Sequence, residues 1–275
     1  MMLTKRESLG IAELSQTRTR LRMTGVDRVD FLHGQCTNDI KQLGVGESCY
    51  AAFLNAKGKM RGEGHVICLA DRFLLEVNSE LTPSLEKFII TEDVTIEDVS
   101  VAMGEWLVIG EAGVSIPAKA VTFRHPLGLG IISETPMVAT IDADELEVIR
   151  IEVAVPQWGV EMDENTIPNE AGLEKRAISY DKGCYIGQET IARIKTYGHV
   201  NRQLVQLAVA GDAVPSRGDK LLKDGREVGH MTSTIHSSRL GKLLALGYVR
   251  REFATAGAQL NWNNETAEGL KVCGE

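Results

Sequence analysis

Lys182-Gly183-Cys184-Tyr185-Ile186-Gly187-Gln188-Glu189 sets a cation, a thiol, two glycines, an amide and a carboxylate in eight consecutive positions. Ordinary core segments are not composed this way. The two glycines permit backbone angles and close approaches that a side chain would block. Gln188 to Lys195 then reads as a short helix, with Ile191 and Ile194 spaced to share one face. Cys184 therefore stands just before a helix N-terminus and two residues from Lys182, and both neighbours favour a thiolate. The plainer alternative is a glycine-rich turn around a buried, inert cysteine.

The rest of the chain frames this stretch. Its 275 residues suggest two units or three small ones, at ~150 residues per domain. With 43% apolar and 25% charged residues it reads as an ordinary globular protein. No window approaches the roughly 18 apolar residues of a membrane helix. Met1 to Leu14 lacks the apolar core of a signal peptide, so a cytoplasmic location, or a matrix reached by a presequence absent here, is expected. The net charge of −8 argues against holding duplex nucleic acid by bulk electrostatics. Between Glu174 and Arg202, however, six cations face three anions, a landing place for a small anionic ligand or a short piece of RNA, or simply a solvated surface. Five cysteines without paired spacing fit a reducing compartment, and no CxxC or CxxxC supports a resident zinc or iron–sulfur site.

Working along the chain, Gln16 to Met23 alternates, with Arg18, Arg20 and Arg22 on one side and Thr19, Leu21 and Met23 on the other. This predicts a half-buried strand. Thr24 is placed to cap a helix through Val26, Val29 and Leu32 that Gly34 ends. Gln35-Cys36-Thr37-Asn38-Asp39 follows as a run of small polar groups, turn chemistry or a pocket lining. Strands are expected at Cys49–Leu54, Gly64–Ala70 and Phe73–Val77. A helix opens at Thr82-Pro83 and runs to about Ile90, and a strand spans Val94–Val99. The order resembles an α+β unit of ferredoxin-like character. Short strands near Trp106, Ala120 and Gly130 begin a second such unit, and Asp142 with Glu145 forms a capping box for its helix. Glu152 lies at the edge of that helix's apolar stripe, where a carboxylate must be paired, solvated or functional. From Gln203 onward, short strands between turns, with a strong hairpin signal at Asp224-Gly225, read as a small β-barrel. The division expected is 1–100, 101–200 and 201–275.

The octapeptide resembles the signature of the YgfZ-type folate-binding proteins, a branch of the superfamily of the glycine cleavage T-protein, an aminomethyltransferase. Phe31-Leu32-His33-Gly34-Gln35-Cys36-Thr37-Asn38-Asp39, Ile149-Arg150-Ile151-Glu152, Ile167-Pro168-Asn169-Glu170, Gly229-His230-Met231-Thr232-Ser233 and Leu246-Gly247-Tyr248-Val249 resemble further segments of that family. The resemblance covers nearly the whole chain. It implies two interlocked ferredoxin-like units followed by a C-terminal barrel, around an opening that holds tetrahydrofolate. It implies Glu152, Asn38, Gln35 and Arg193 as folate-binding residues, and Cys184 with Lys182 as the reactive centre. A carboxylate suits a pterin, which presents an amino group and a ring N–H side by side. T-proteins carry an Asp-Asp pair where this chain has Arg61-Gly62-Glu63, leaving Glu63 as the only acid. The resemblance therefore implies a folate-binding accessory to iron–sulfur cluster assembly or repair, with iron–sulfur client proteins as partners and an indirect link to tRNA modification. The alternatives are a folate-dependent one-carbon transferase using Glu63, and a tRNA-contacting module.

Overall fold

The computed structural model describes residues 10–110, 114–211 and 213–274. They form an α+β fold with two antiparallel sheets and a closed barrel, in two compact units: residues 1–143 with 176–189, and residues 144–175 with 190–275.

In chain order the first unit contains β1 (Gly10–Glu13), β2 (Thr19–Thr24), α1 (Arg28–Gln35), β3 (Ser48–Leu54), β4 (Met60–Cys68) and β5 (Phe73–Val77). It continues with α2 (Leu81–Glu86), β6 (Thr95–Asp98), β7 (Gly104–Ile109), β8 (Val121–His125) and β9 (Gly128–Ser133). One sheet has the order β3-β4-β5-β2-β6 and the other β1-β7-β9-β8. Phe31 and Leu32 of α1 and Leu81 and Leu85 of α2 pack on the first sheet through Leu21, Phe53, Leu75 and Val77. Ile67 and Leu74 face the opposite way, against Phe123 and Ile132 of the second sheet. With both faces covered, β5 is buried at every position, as a sheet between two layers requires.

This corrects the half-buried reading of β2. Arg20 is 1% exposed, and its guanidinium donates to the carbonyls of Ser15, Arg18, Ser100 and Met103. A buried charge is tolerable when its donors are met in this way. Two helix boundaries also move. α1 starts after Asp27 rather than at Thr24, because Gly25 at φ +106° breaks the helical path, and it runs through Gly34 to Gln35. α2 begins at Leu81 and stops at Glu86, short of Ile90.

α3 (Ala143–Val153) leads into the second unit, α4 (Glu174–Ala177) crosses between the two stretches, and α5 is Gln188–Tyr197. The barrel strands are β10 (Arg202–Val209), β11 (Lys220–Lys223), β12 (Arg226–Ser237), β13 (Lys242–Arg250), β14 (Gln259–Trp262) and β15 (Glu265–Val272). They close in the order β10-β13-β12-β11-β14-β15. Along β13, Leu243, Ala245 and Val249 fill the barrel with Met231, Leu260 and Trp262. Leu244, Leu246 and Tyr248 point outward, where Ile151 and Ala154 cover them. Asp224 (φ +50°) and Gly225 (φ +75°) join β11 to β12, the left-handed pair that a two-residue hairpin needs.

Candidate functional site

The octapeptide is built onto the segment that follows α1. The Lys182 ammonium donates to the backbone carbonyls of His33 (2.6 Å), Cys36 (2.7 Å) and Asn38 (2.8 Å). It is 7% exposed, and burial holds its pKa below the usual lysine range. Lys182 thus binds three carbonyls to one another, and its Nζ lies 5.0 Å from the centre of the Tyr185 ring. The Ile186 amide donates to Gly34 O. Gly187 sits at φ +84°, and a Cβ there would lie 2.6 Å from Asn55 O and 2.9 Å from Leu54 Cβ. Only glycine fits. Gly183 is less constrained, with His33 Nε2 at 3.7 Å as the nearest atom to a built Cβ.

The polar run ahead of it is mostly engaged in structure. Thr37 Oγ1 donates to Ala177 O and accepts from the Ala52 amide. Asn38 Nδ2 donates to Tyr50 O and Arg176 O, and Asn38 Oδ1 accepts the Asp39 amide. Gln35 Oε1 accepts from Arg61 Nη2 at 3.1 Å. Gln35, Cys36, Asn38, Lys182 and Cys184 therefore share one neighbourhood, and within it Cys184 is exposed while Cys36 is buried. Burial pushes the Cys36 thiol up to about 11. All described cysteines are free thiols.

Glu152 and Arg193 belong to the second unit. The Glu152 side chain is 3% exposed. Its Oε1 accepts from Ser237 Oγ (2.5 Å), and its Oε2 accepts from Arg239 Nε (3.0 Å) and Nη2 (2.8 Å). Arg193 is exposed on α5. The basic stretch is not one uniform patch. Lys182 is spent on carbonyls, Arg176 stacks on Tyr50 and Arg202 pairs with Glu170, while Lys175, Arg193 and Lys195 are exposed.

A buried ionic network in the first unit was not anticipated. Arg18 Nη1 donates to Glu63 Oε1 (2.6 Å) and its Nε to Glu76. Glu76 Oε2 also bonds His65 Nδ1 at 2.7 Å. The His65 ring packs against Tyr50, Phe123 and His125. Burial opposes ionisation of Glu76, but Arg18 and His65 outweigh it and hold its carboxyl well below the usual range. Burial and the nearby His65 push His125 down to about 3, so its imidazole is neutral. Glu105 is fully buried, and neither of its carboxyl oxygens has a hydrogen-bond partner. Burial and the negative Glu76 raise its pKa well above the usual carboxylate range, which favours the protonated form. The signal available in the sequence was the strand alternation that puts Arg18 and Arg20, and then Glu63 and His65, on common faces.

The sequence family described as the GCVT N-terminal domain matches residues 2–122. That described as the glycine cleavage T-protein C-terminal barrel domain matches residues 202–267. The chain belongs to the glycine cleavage T-protein (aminomethyltransferase) superfamily. It is 27% identical over 233 residues to an uncharacterized protein of Haemophilus influenzae, covering 78% of this chain and 81% of that one. It is 26% identical over 303 residues to an aminomethyltransferase of Desulforamulus reducens, covering 93% and 82% of the two chains. The crystal structure of glycine cleavage system aminomethyltransferase T from Bartonella henselae superposes with a TM-score of 0.79 at 17% identity, covering 97% of this chain and 86% of that one. That likeness establishes the fold. Among the described residues, no helix is long and apolar enough to cross a membrane, and no group of three or more His, Cys, Asp or Glu is placed to hold a metal ion.

Proposed function

We propose that this superfamily member binds tetrahydrofolate and serves the assembly or repair of iron–sulfur clusters in client proteins, rather than one-carbon transfer. The observation that carries the reading is the buried Arg18–Glu63 pair. Glu63 is the one acid at the position where T-proteins have two, and it is 3% exposed with Arg18 across both carboxylate oxygens. A carboxylate held this way gives up its ion pair with Arg18 if it takes a proton, leaving Glu76 as that guanidinium's remaining carboxylate partner. Cys184, exposed on a segment anchored by Lys182, is then the group best placed to meet a client. As a single thiol it acts transiently on a cluster held elsewhere.

The residues fit a folate in their donor and acceptor chemistry. Arg239 presents two N–H groups to Glu152, the same donor pattern as the edge of a pterin. Glu152 is thereby able to accept a pterin once the half-exposed Arg239 side chain swings away. Arg193 supplies an exposed charge for the glutamate tail.

Calorimetric titration of tetrahydrofolate tests the first half. Wild type is expected to bind, Glu152→Gln to bind at least about tenfold more weakly, a loss of ~1.4 kcal/mol, and Arg239→Ala to bind more tightly. Equal affinity in wild type and Glu152→Gln removes Glu152 from the role. The second half is tested by complementation of a deletion strain. Cys184→Ala should retain folate binding and fail to restore iron–sulfur enzyme activity, and full rescue would defeat the thiol assignment. Turnover of a methylamine donor above background by the folate-loaded protein would favour the transferase reading instead.

A further inference from the structure

The barrel unit holds a polar cavity of about 150 Å³ between the 160–166 segment and the rim of the barrel. It is lined by Asp163, Arg202, Arg217, His230, Thr232 and Tyr248, with Glu161 behind. At ~30 Å³ per water the space holds about five waters. That is well below the roughly 300–1,000 Å³ of a drug-sized ligand pocket, so an occupant must be small.

The charges of the wall are not equally committed. Glu161 Oε2 accepts from Arg150 Nη1 and the Gln157 amide, and Oε1 from Thr232 and Ser233. Its charge is balanced by Arg150 and its acceptor sites are filled. Asp163 accepts from the Asn165 amide and the Thr166 hydroxyl. The two guanidinium groups retain donors. Arg202 uses Nε and Nη2 on Glu170, at 3.1 and 3.0 Å, and its Cζ lies over the Tyr248 ring, 4.4 Å from the ring centre. Its Nη1 remains. Arg217 uses Nη2 on the carbonyls of Gly159 and Val160, leaving Nε and Nη1. His230 stands beside them, half-buried, its ring 6.0 Å from that of Tyr248.

We infer that this cavity is a binding site for a small oxyanion, a phosphate or a carboxylate group, held between Arg202 and Arg217 with His230 as third donor. Guanidinium groups present forked donors that match such oxygens. His230 fits the role. Burial first, and then the positive fields of Arg202 and Arg217, keep its pKa below the usual histidine range, with Glu227 opposing. An anion between the two arginines cancels that field and lets the imidazole take up a proton and donate. The Glu161 carboxylate does not compete, because both of its oxygens already accept from other donors, whereas Asp163 offers the arginines one carboxylate that an incoming anion must share them with.

The test follows the His230 imidazole by NMR across a pH series, in chloride and in millimolar inorganic phosphate or acetate at matched ionic strength. His230→Gln assigns the resonance. Phosphate or acetate is expected to raise the His230 pKa by about one pH unit, equivalent to tenfold tighter binding to the protonated form. In Arg217→Gln, an exposed position, the rise should disappear. The arm that gives the larger rise distinguishes a phosphate from a carboxylate ligand. No rise with either anion overturns the proposal, as does an equal rise in Arg217→Gln, which would report general salt binding.

Discussion

Replacing Lys182 by Met separates a clamp from a catalyst. Met fills the space of the lysine stem with an unbranched, adaptable side chain but cannot donate. The three carbonyls that Lys182 satisfies, those of His33, Cys36 and Asn38, then lose their charged donor, and Asn38 O keeps only the weak Cys36 thiol. A hydrogen bond to a charged group contributes ~1.5–3 kcal/mol, and a buried polar group left unsatisfied costs ~1–3 kcal/mol. The three bonds share one ammonium, whose own desolvation is relieved by the change, so simple addition overshoots. The expected loss is about 3–5 kcal/mol, the range for breaking a buried charged contact. That is a large share of the ~5–15 kcal/mol of a typical domain. Native-state hydrogen exchange reads it locally, because the Thr37 amide donates to Ala52 O and the Ala52 amide to Thr37 Oγ1. Both amides should exchange from a less stable state in Lys182→Met. A loss below about 1 kcal/mol, within the range of ordinary surface substitutions, together with lost cellular function, would refute the clamp and return Lys182 to a chemical role.

The raised pKa of Glu105 gives a pH signature. A carboxyl whose folded pKa is raised binds its proton more tightly in the native than in the unfolded chain. Its stabilising proton is fully present below the usual carboxylate range and is lost as pH rises from there through the folded pKa. Glu105→Gln should therefore be more stable than wild type at neutral pH, by about 1.4 kcal/mol for each pH unit that separates the folded from the unfolded pKa below neutrality. The two should converge in acid, and urea denaturation at both pH values checks this. Gly187→Ala forces a side chain into a left-handed position 2.6 Å from Asn55 O and should cost about 2–4 kcal/mol. Gly183→Ala, with nothing nearer than 3.7 Å, should cost under about 1 kcal/mol, and thermal melts of the two variants side by side decide it.

The Asp224-Gly225 hairpin could be read from the chain because a local dipeptide determines it, and the barrel because its short strands alternate with turn signals. The helix after the octapeptide was legible for the same reason, its apolar positions falling at local spacing. The role of Lys182 was not, since its acceptors lie 144 to 149 residues away in sequence. Strand alternation told which residues of β2 share a face, but not that a second sheet covers the arginine face. Arg20 therefore turned out to be interior. Glu152 stood at the edge of its helix as expected, while its ionic partner, Arg239, comes from beyond the end of β12, 87 residues on. No periodicity announces such a partner.

The closure of the barrel has a consequence for how the molecule fails under stress. A closed cylinder of strands has no edge strand, so a second chain finds no open row of backbone donors and acceptors there to extend. The first unit does have edge strands. One of them is β6, where Asp98 places negative charge against an incoming strand and Glu97 is paired with Arg22 of β2. Self-association on partial unfolding should begin at the uncharged margins of those sheets, and the C-terminal unit should remain soluble longest.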